Sequence, residues 1–220
     1  MYDWITDKAF LSRMKTLCSD LVNQLVQSIN ASGEMEVRAY LVGSGARNMF
    51  TQNGNNPVDL DYNLEVIDCD DFKRVREIKM FVQKCFNEVL QRNGLDDCHD
   101  STSALTTGKI HFTTGNQTEF SIDLCIVRED EDGWYRLKHD KYGNIMSDPF
   151  RWNRVRNSRG LDNRVAWLKE ESHWQEVRDT YLYKKNMYLT RGDHDHPSFI
   201  VYIESINEVY YHYNGGQYYG

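Results

Sequence analysis

Three aspartates stand where they can hold a divalent cation. Asp59 and Asp61 lie two residues apart in Pro57-Val58-Asp59-Leu60-Asp61-Tyr62-Asn63-Leu64-Glu65-Val66, and Asp123 lies in Phe120-Ser121-Ile122-Asp123-Leu124-Cys125-Ile126. Side chains on a strand alternate with a period of two, so Asp59 and Asp61 share one side and the apolar residues between them take the other. Asp123 is likewise set opposite Phe120, Ile122, Leu124 and Ile126. Carboxylates on two neighbouring strands make a set of hard oxygen ligands suited to Mg2+ or Mn2+, which share their shell with phosphate and water. Without a cation such a cluster is repulsive. Upstream, Val42-Gly43-Ser44-Gly45-Ala46-Arg47 offers a turn whose backbone N–H groups can approach a triphosphate, with a helix start behind it. No Gly-Lys-Ser/Thr follows, so this is not a P-loop. Taken singly, an Asp-x-Asp strand is more often a solvated face and a Gly-Ser-Gly more often a plain turn. Their order along one chain points to chemistry on a nucleoside triphosphate.

The elements that would carry these residues are visible in the apolar spacing. Phe10, Met14, Leu17, Leu21, Leu25 and Ile29 mark a helix over 7–30, capped by Thr6 or Asp7 and stopped at Gly33. Residues 37–42 alternate as a short strand, and a short helix is expected to begin within 46–50. Residues 52–56 form a polar loop, and 58–66 the aspartate strand. A second amphipathic helix spans 71–93, ending at Asn93-Gly94. Residues 101–107 and 109–114 are β-like, and Gly115-Asn116 turns the chain into a strand over 119–127. A hairpin is expected within 134–145, then two helices or one bent one over 161–189. The last helix starts at Pro197.

The chain has 220 residues, 40% hydrophobic and 27% charged, with a net charge of -7. That suits a globular protein with one sizeable core, or a domain plus a small helical appendage. No apolar run reaches the ~20 residues that span a bilayer, and the N-terminus lacks a signal-peptide pattern. No membrane association is therefore expected. Cys18, Cys69, Cys85, Cys98 and Cys125 follow no CxxC spacing, which argues against a disulfide framework or a structural zinc site. The expected compartment is cytoplasmic. The acidic balance makes nucleic acid a less natural partner than a nucleotide.

The set Val42-Gly43-Ser44, Asp59-Leu60-Asp61-Tyr62 and Ile122-Asp123-Leu124 resembles the DNA polymerase β-like nucleotidyltransferase superfamily, over roughly residues 35–128. Gly43-Ser44-Gly45-Ala46-Arg47 is similar to the opening of minimal bacterial and oligoadenylate synthase-like members. Residues 45–58 make a gap slightly longer than the usual one. The resemblance implies that Asp59 and Asp61 bind both metals and that Asp123 holds the catalytic metal and helps deprotonate an acceptor hydroxyl. Gly43 and Ser44, with Arg47, would take the phosphates. The implied reaction moves an NMP from a nucleoside triphosphate to a hydroxyl acceptor (a small molecule, a nucleotide or a protein) with release of pyrophosphate. It also implies an α/β (α+β) fold: a small mixed, mostly antiparallel sheet backed by the two helices. A catalytic domain at 1–130 would precede a hairpin and helical part at 131–220 that closes the cleft. The rivals are a non-catalytic nucleotide-binding or interaction module on the same fold and an RNA-modifying transferase.

Other residues have plain readings beside functional ones. Lys109, and the cluster Arg151, Arg154, Arg156 and Arg159, can contact an anionic substrate or line a solvated loop. Glu65 reads as a rim residue. His194-Asp195-His196 reads as a helix cap rather than a metal site. The tyrosines Tyr202, Tyr210, Tyr211, Tyr213, Tyr218 and Tyr219 can stack on a base or pack a core. Cys125 lacks a paired histidine and does not read as a catalytic thiol.

Overall fold

Asp7 starts the first long helix by accepting a hydrogen bond from the Phe10 N–H, and Gly33 ends it in the left-handed region at φ 75°. The computed structural model describes residues 1–131, 133–143, 148–155, 161–193 and 198–216. Its strands are β1 (Tyr2–Trp4), β2 (Met35–Leu41), β3 (Thr51–Asn53), β4 (Val58–Cys69), β5 (His99–Asp100), β6 (Leu105–Thr106), β7 (Phe120–Asp130), β8 (Gly133–His139) and β9 (Phe150–Arg154). Its helices are α1 (Lys8–Ser32), α2 (Gly43–Ala46), α3 (Val75–Arg92), α4 (Leu161–Glu170), α5 (Trp174–Thr190) and α6 (Ser198–Tyr213). No Cβ at Gly33 would meet an atom within 4 Å, so the backbone angle alone makes this position demanding. Gly33→Ala is expected to cost about 1 kcal/mol, measured by urea unfolding, with Gly33→Asn costing less.

The contacts gather the chain into two compact units. A sheet unit comprises Thr6–Val42 and Pro57–Asn157, and a helical unit comprises Met1–Ile5, Gly43–Asn56 and Ser158–Gly220. In the sheet unit the strand order is β2-β4-β7-β6-β5, with β8 joined to β7 and β9 to β8. β4 and β7 run parallel, and every other pairing in this sheet is antiparallel. One long edge of β7 is shared: β6 pairs at Asp123 and Leu124, β8 from Val127 to Asp130. Leu60, Leu64, Phe120, Ile122 and Leu124 are fully buried on the apolar face. α1 packs there, through a Ser19–Tyr62 hydroxyl bond of 3.0 Å and an edge contact of Phe10 with Phe120. α3 touches α1 and is tied to the sheet by a buried ion pair of Lys79 with Asp100 at 2.5 Å.

In the helical unit α4, α5 and α6 enclose Met49, Leu161, Val165, Leu168, Val177, Tyr181, Val201, Tyr202, Ile206 and Val209. β1 pairs antiparallel with β3, and Asn186 clamps Tyr2 through both its backbone N–H and its carbonyl.

Several elements differ from the sequence expectation. Residues 52 and 53, the start of the loop expected over 52–56, belong to strand β3 because Tyr2–Trp4 supplies a partner. The second helix begins at Val75, since the Asp71 side chain takes the Lys73 N–H and turns the chain first. The hairpin expected within 134–145 is wider: β8 finds its partner in β9, so Arg151 and Arg154 lie on a strand. Over 161–189 the two-helix alternative holds, as α4 and α5. Pro197, His194, Asp195, His196, Arg156, Arg159, Tyr218 and Tyr219 lie outside the described residues.

Candidate active site

The parallel register of β4 and β7 sets Asp61 directly opposite Asp123 and Asp59 opposite Ser121. β6 adds a third strand, in which Thr106 is the register partner of Asp123. The result is a polar patch on the face opposite the apolar one. Asp59 is exposed and Asp61 and Asp123 are half-buried, while their neighbours Val58, Leu60, Tyr62, Ile122 and Leu124 are buried. Alternation along both strands sets the three aspartates on the same face of two neighbouring strands, Asp61 opposite Asp123 and Asp59 one step along.

Two hydroxyls bond to these carboxylates. Thr106 Oγ1 donates to Asp123 Oδ1 at 2.6 Å, and Ser121 Oγ donates to Asp59 Oδ1 at 2.6 Å. Burial pushes the Asp123 carboxyl above the usual carboxylate range; the Thr106 hydrogen bond pulls it down, and the charge of Asp59 pushes it up again. Among the described residues no three His, Cys, Asp or Glu side chains are drawn together as a ready-made metal cage. What is present is an all-oxygen donor set on adjacent strands, the chemistry a hard divalent cation takes. A cation there would also offset the repulsion between Asp59 and Asp123.

Next along the face, Cys125 is buried with Ala104 and Val127 against Trp134. Burial pushes its thiol up to about 11, so it stays protonated at neutral pH and is no nucleophile. Glu65 is taken up by Arg38 in a two-pronged pair, Nε to Oε2 at 2.7 Å and Nη2 to Oε1 at 2.9 Å. Lys109 pairs with Glu119 at 3.0 Å and Arg151 with Asp140 at 2.8 Å.

The Gly-Ser-Gly stretch belongs to the helical unit. It does not precede a helix, as expected, but is itself the four-residue α2, entered through Gly43 at φ 62°. The Ser44 carbonyl accepts from the Arg47 and Met49 N–H groups. So short a helix carries little macrodipole. Arg47 donates from Nε to the Tyr202 hydroxyl at 2.9 Å and pairs with Asp162 at 3.2 Å. Of the candidate stacking tyrosines, Tyr202 is buried in the helical core, and Tyr213 stacks on His173 at 3.6 Å. Sequence reasoning missed Thr106 and Ser121. Ser121 was within reach, being two residues before Asp123 on the same face, whereas Thr106 becomes visible only once β6 is known to pair with β7.

No protein-family profile and no curated protein sequence matches the chain. Solved structures do match its fold. The Elizabethkingia meningoseptica CdnE cyclic dinucleotide synthase with GTP and Apcpp aligns with a TM-score of 0.51 at 13% identity, over 86% of this chain and 68% of that one. The E. coli MS115-1 CdnC with ATP aligns at 0.54 and 12% identity, over 94% and 66%. The Vibrio cholerae DncV cyclic AMP-GMP synthase, a prokaryotic cGAS homolog, aligns at 0.51 and 9% identity, over 84% and 47%. The chain thus spans about two thirds of the first two and about half of the third. It shares the mixed-sheet fold of these solved structures. Among the described residues no helix is long and apolar enough to cross a membrane.

Proposed function

We propose that a chain with this fold transfers a nucleotidyl group from a nucleoside triphosphate to a hydroxyl acceptor. The observation that carries the reading is the β4–β7 register, which sets Asp61 opposite Asp123 on the polar face with Asp59 one step along. In support, the fold is shared with a cyclic dinucleotide synthase solved with GTP and Apcpp and with CdnC solved with ATP.

The acceptor oxygen attacks the α-phosphorus as the bond to the β-phosphate oxygen breaks, and pyrophosphate leaves with that oxygen. The acceptor proton passes to the Asp123 carboxylate, acting as general base. Asp59 and Asp61 would hold two divalent cations, one shared with Asp123, that neutralise the triphosphate and stabilise the charge developing in transfer. Gly43, Ser44 and Arg47 are assigned to the triphosphate on the order of the motifs along the chain. Catalysis of this kind is mostly positioning and electrostatic stabilisation.

The test is incubation with each α-labelled nucleoside triphosphate and Mg2+ or Mn2+, following label transfer and pyrophosphate together. Turnover is expected with one or more bases and is abolished by a chelator. A protein that neither turns over nor binds any triphosphate with metal present overturns the reading.

A further inference from the structure

The two hydroxyls on the carboxylate face are built into the sheet as firmly as the aspartates. Thr106 sits on β6, a strand of two residues, too short to hold itself in place by ladder bonds alone. The next residue, Thr107, supplies the anchor. It is 4% exposed, its N–H donates to the Ile122 carbonyl at 3.0 Å, and its Oγ1 accepts from the Ile122 N–H at 2.9 Å. This pair of hydrogen bonds to the residue before Asp123 anchors β6 beside β7 next to Thr106. Ser121 is 6% exposed between Phe120 and Ile122, both fully buried, so its hydroxyl has little freedom. At 2.6 Å both contacts are at the short end for a hydroxyl donating to a carboxylate oxygen.

We propose that Thr106 and Ser121 are positioning residues for the metal-binding carboxylates, a proposal that rests on the nucleotidyl-transfer reading. Each hydroxyl occupies one oxygen, Oδ1 of Asp123 and Oδ1 of Asp59, and so would leave the other, Oδ2, to a cation. Each also holds its side chain in one rotamer before the cation arrives. The arrangement is the carboxylate counterpart of the partners that orient metal-ligating histidines, whose removal typically costs 10–100-fold in metal affinity. Both hydroxyls come from the register partner of the aspartate on a neighbouring strand, so the sheet pairing supplies ligand and orienter together.

The experiment is Mn2+ titration of the full chain without nucleotide, with free Mn2+ followed by electron paramagnetic resonance and the metal-free melting temperature recorded beside it. Thr106→Val keeps the shape and removes the donor. It is expected to weaken Mn2+ binding by about 10–100-fold with little change in metal-free melting, while Thr106→Ser stays close to wild type. Ser121→Ala, on a different strand, is expected to weaken binding in the same way, and it answers the question if Thr106→Val unfolds. Wild-type Mn2+ affinity in folded Thr106→Val and Ser121→Ala overturns the positioning role alone. Failure of the wild-type protein to bind Mn2+ overturns the metal reading and this inference with it.

Discussion

Asp123→Asn is expected to abolish nucleotidyl transfer, by roughly 10³-fold or more, and at the same time to raise the melting temperature at neutral pH. The two effects have one cause. Asn keeps the shape of the side chain and a carbonyl oxygen that still accepts from Thr106, so the packing of β6 on β7 survives. It cannot take the acceptor proton or offer a charged oxygen to a cation. In the wild-type protein burial holds the Asp123 carboxyl above its usual range, against the pull of Thr106 and with Asp59 adding to the rise. Folding therefore favours the protonated form. Asp123 supports the fold fully below about pH 4, its ordinary range, and that support is lost as the pH rises through the raised value. Asn is neutral throughout, so the variant avoids the loss. Melting curves without metal should show Asp123→Asn above wild type at pH 7, with the gap closing as the pH falls to 4. A variant that is inactive but melts below wild type at pH 7 would show that the carboxylate is structural.

The second large effect lies away from the carboxylates. The Lys79 side chain is 3% exposed on α3, and Asp100 on β5 is 22% exposed. Lys79 Nζ meets Asp100 Oδ1 at 2.5 Å and donates to the Ser101 carbonyl at 2.8 Å. Asp100 Oδ2 meets His139 Nδ1 on β8 at 2.5 Å, the His139 ring stacks on Phe150 of β9 at 3.9 Å, and Lys141 donates to the Asp100 carbonyl. Burial lowers the Lys79 pKa and Asp100 opposes that shift, so the ammonium depends on its partner. Lys79→Met keeps the apolar stem and removes the charge. Breaking a buried pair from one side costs about 3–5 kcal/mol, which for a chain of this size lowers the melting temperature by roughly 10 °C. Lys79→Met with Asp100→Asn should recover much of the loss, because no uncompensated buried charge remains. A single variant as stable as wild type would mean that the pair holds nothing together.

Much of this arrangement is legible in residue spacing. The first helix shows both of its ends, in Asp7 and Gly33, because capping is a local transaction between neighbours in sequence. β4 and β7 are legible because each buries one face and wets the other, which writes a period of two into the chain. Their pairing with each other is not a local matter. Nothing in Pro57–Val66 says that Asp61 will meet Asp123, and only the family resemblance suggests it. Thr106 stayed hidden for the same reason: a two-residue strand has no period, and its hydroxyl matters only through the strand beside it. β1 and β3 were missed because Tyr2–Trp4 and Thr51–Asn53 are short, partly polar and half-exposed, with no signal until each finds the other. The late start of α3 at Val75 follows from a side-chain hydrogen bond by Asp71 that competes with the helix, a choice apolar spacing does not record.

The threading of the chain between its two units has a consequence for synthesis. The sheet unit is encoded almost without interruption up to residue 157, so it can assemble while the C-terminal helices are still being made. The helical unit cannot do so. Its first strand leaves the ribosome 184 residues before Asn186, which clamps Tyr2. Contacts this distant in sequence are slow to close. Tyr2–Trp4 and Gly43–Asn56 must therefore wait, already translated, for α5 and α6 to appear. A ribosome stalled before Asn186 carries a sheet that can fold and a helical core whose earliest pieces, β1 and β3, can pair with each other but still lack Asn186 and α6.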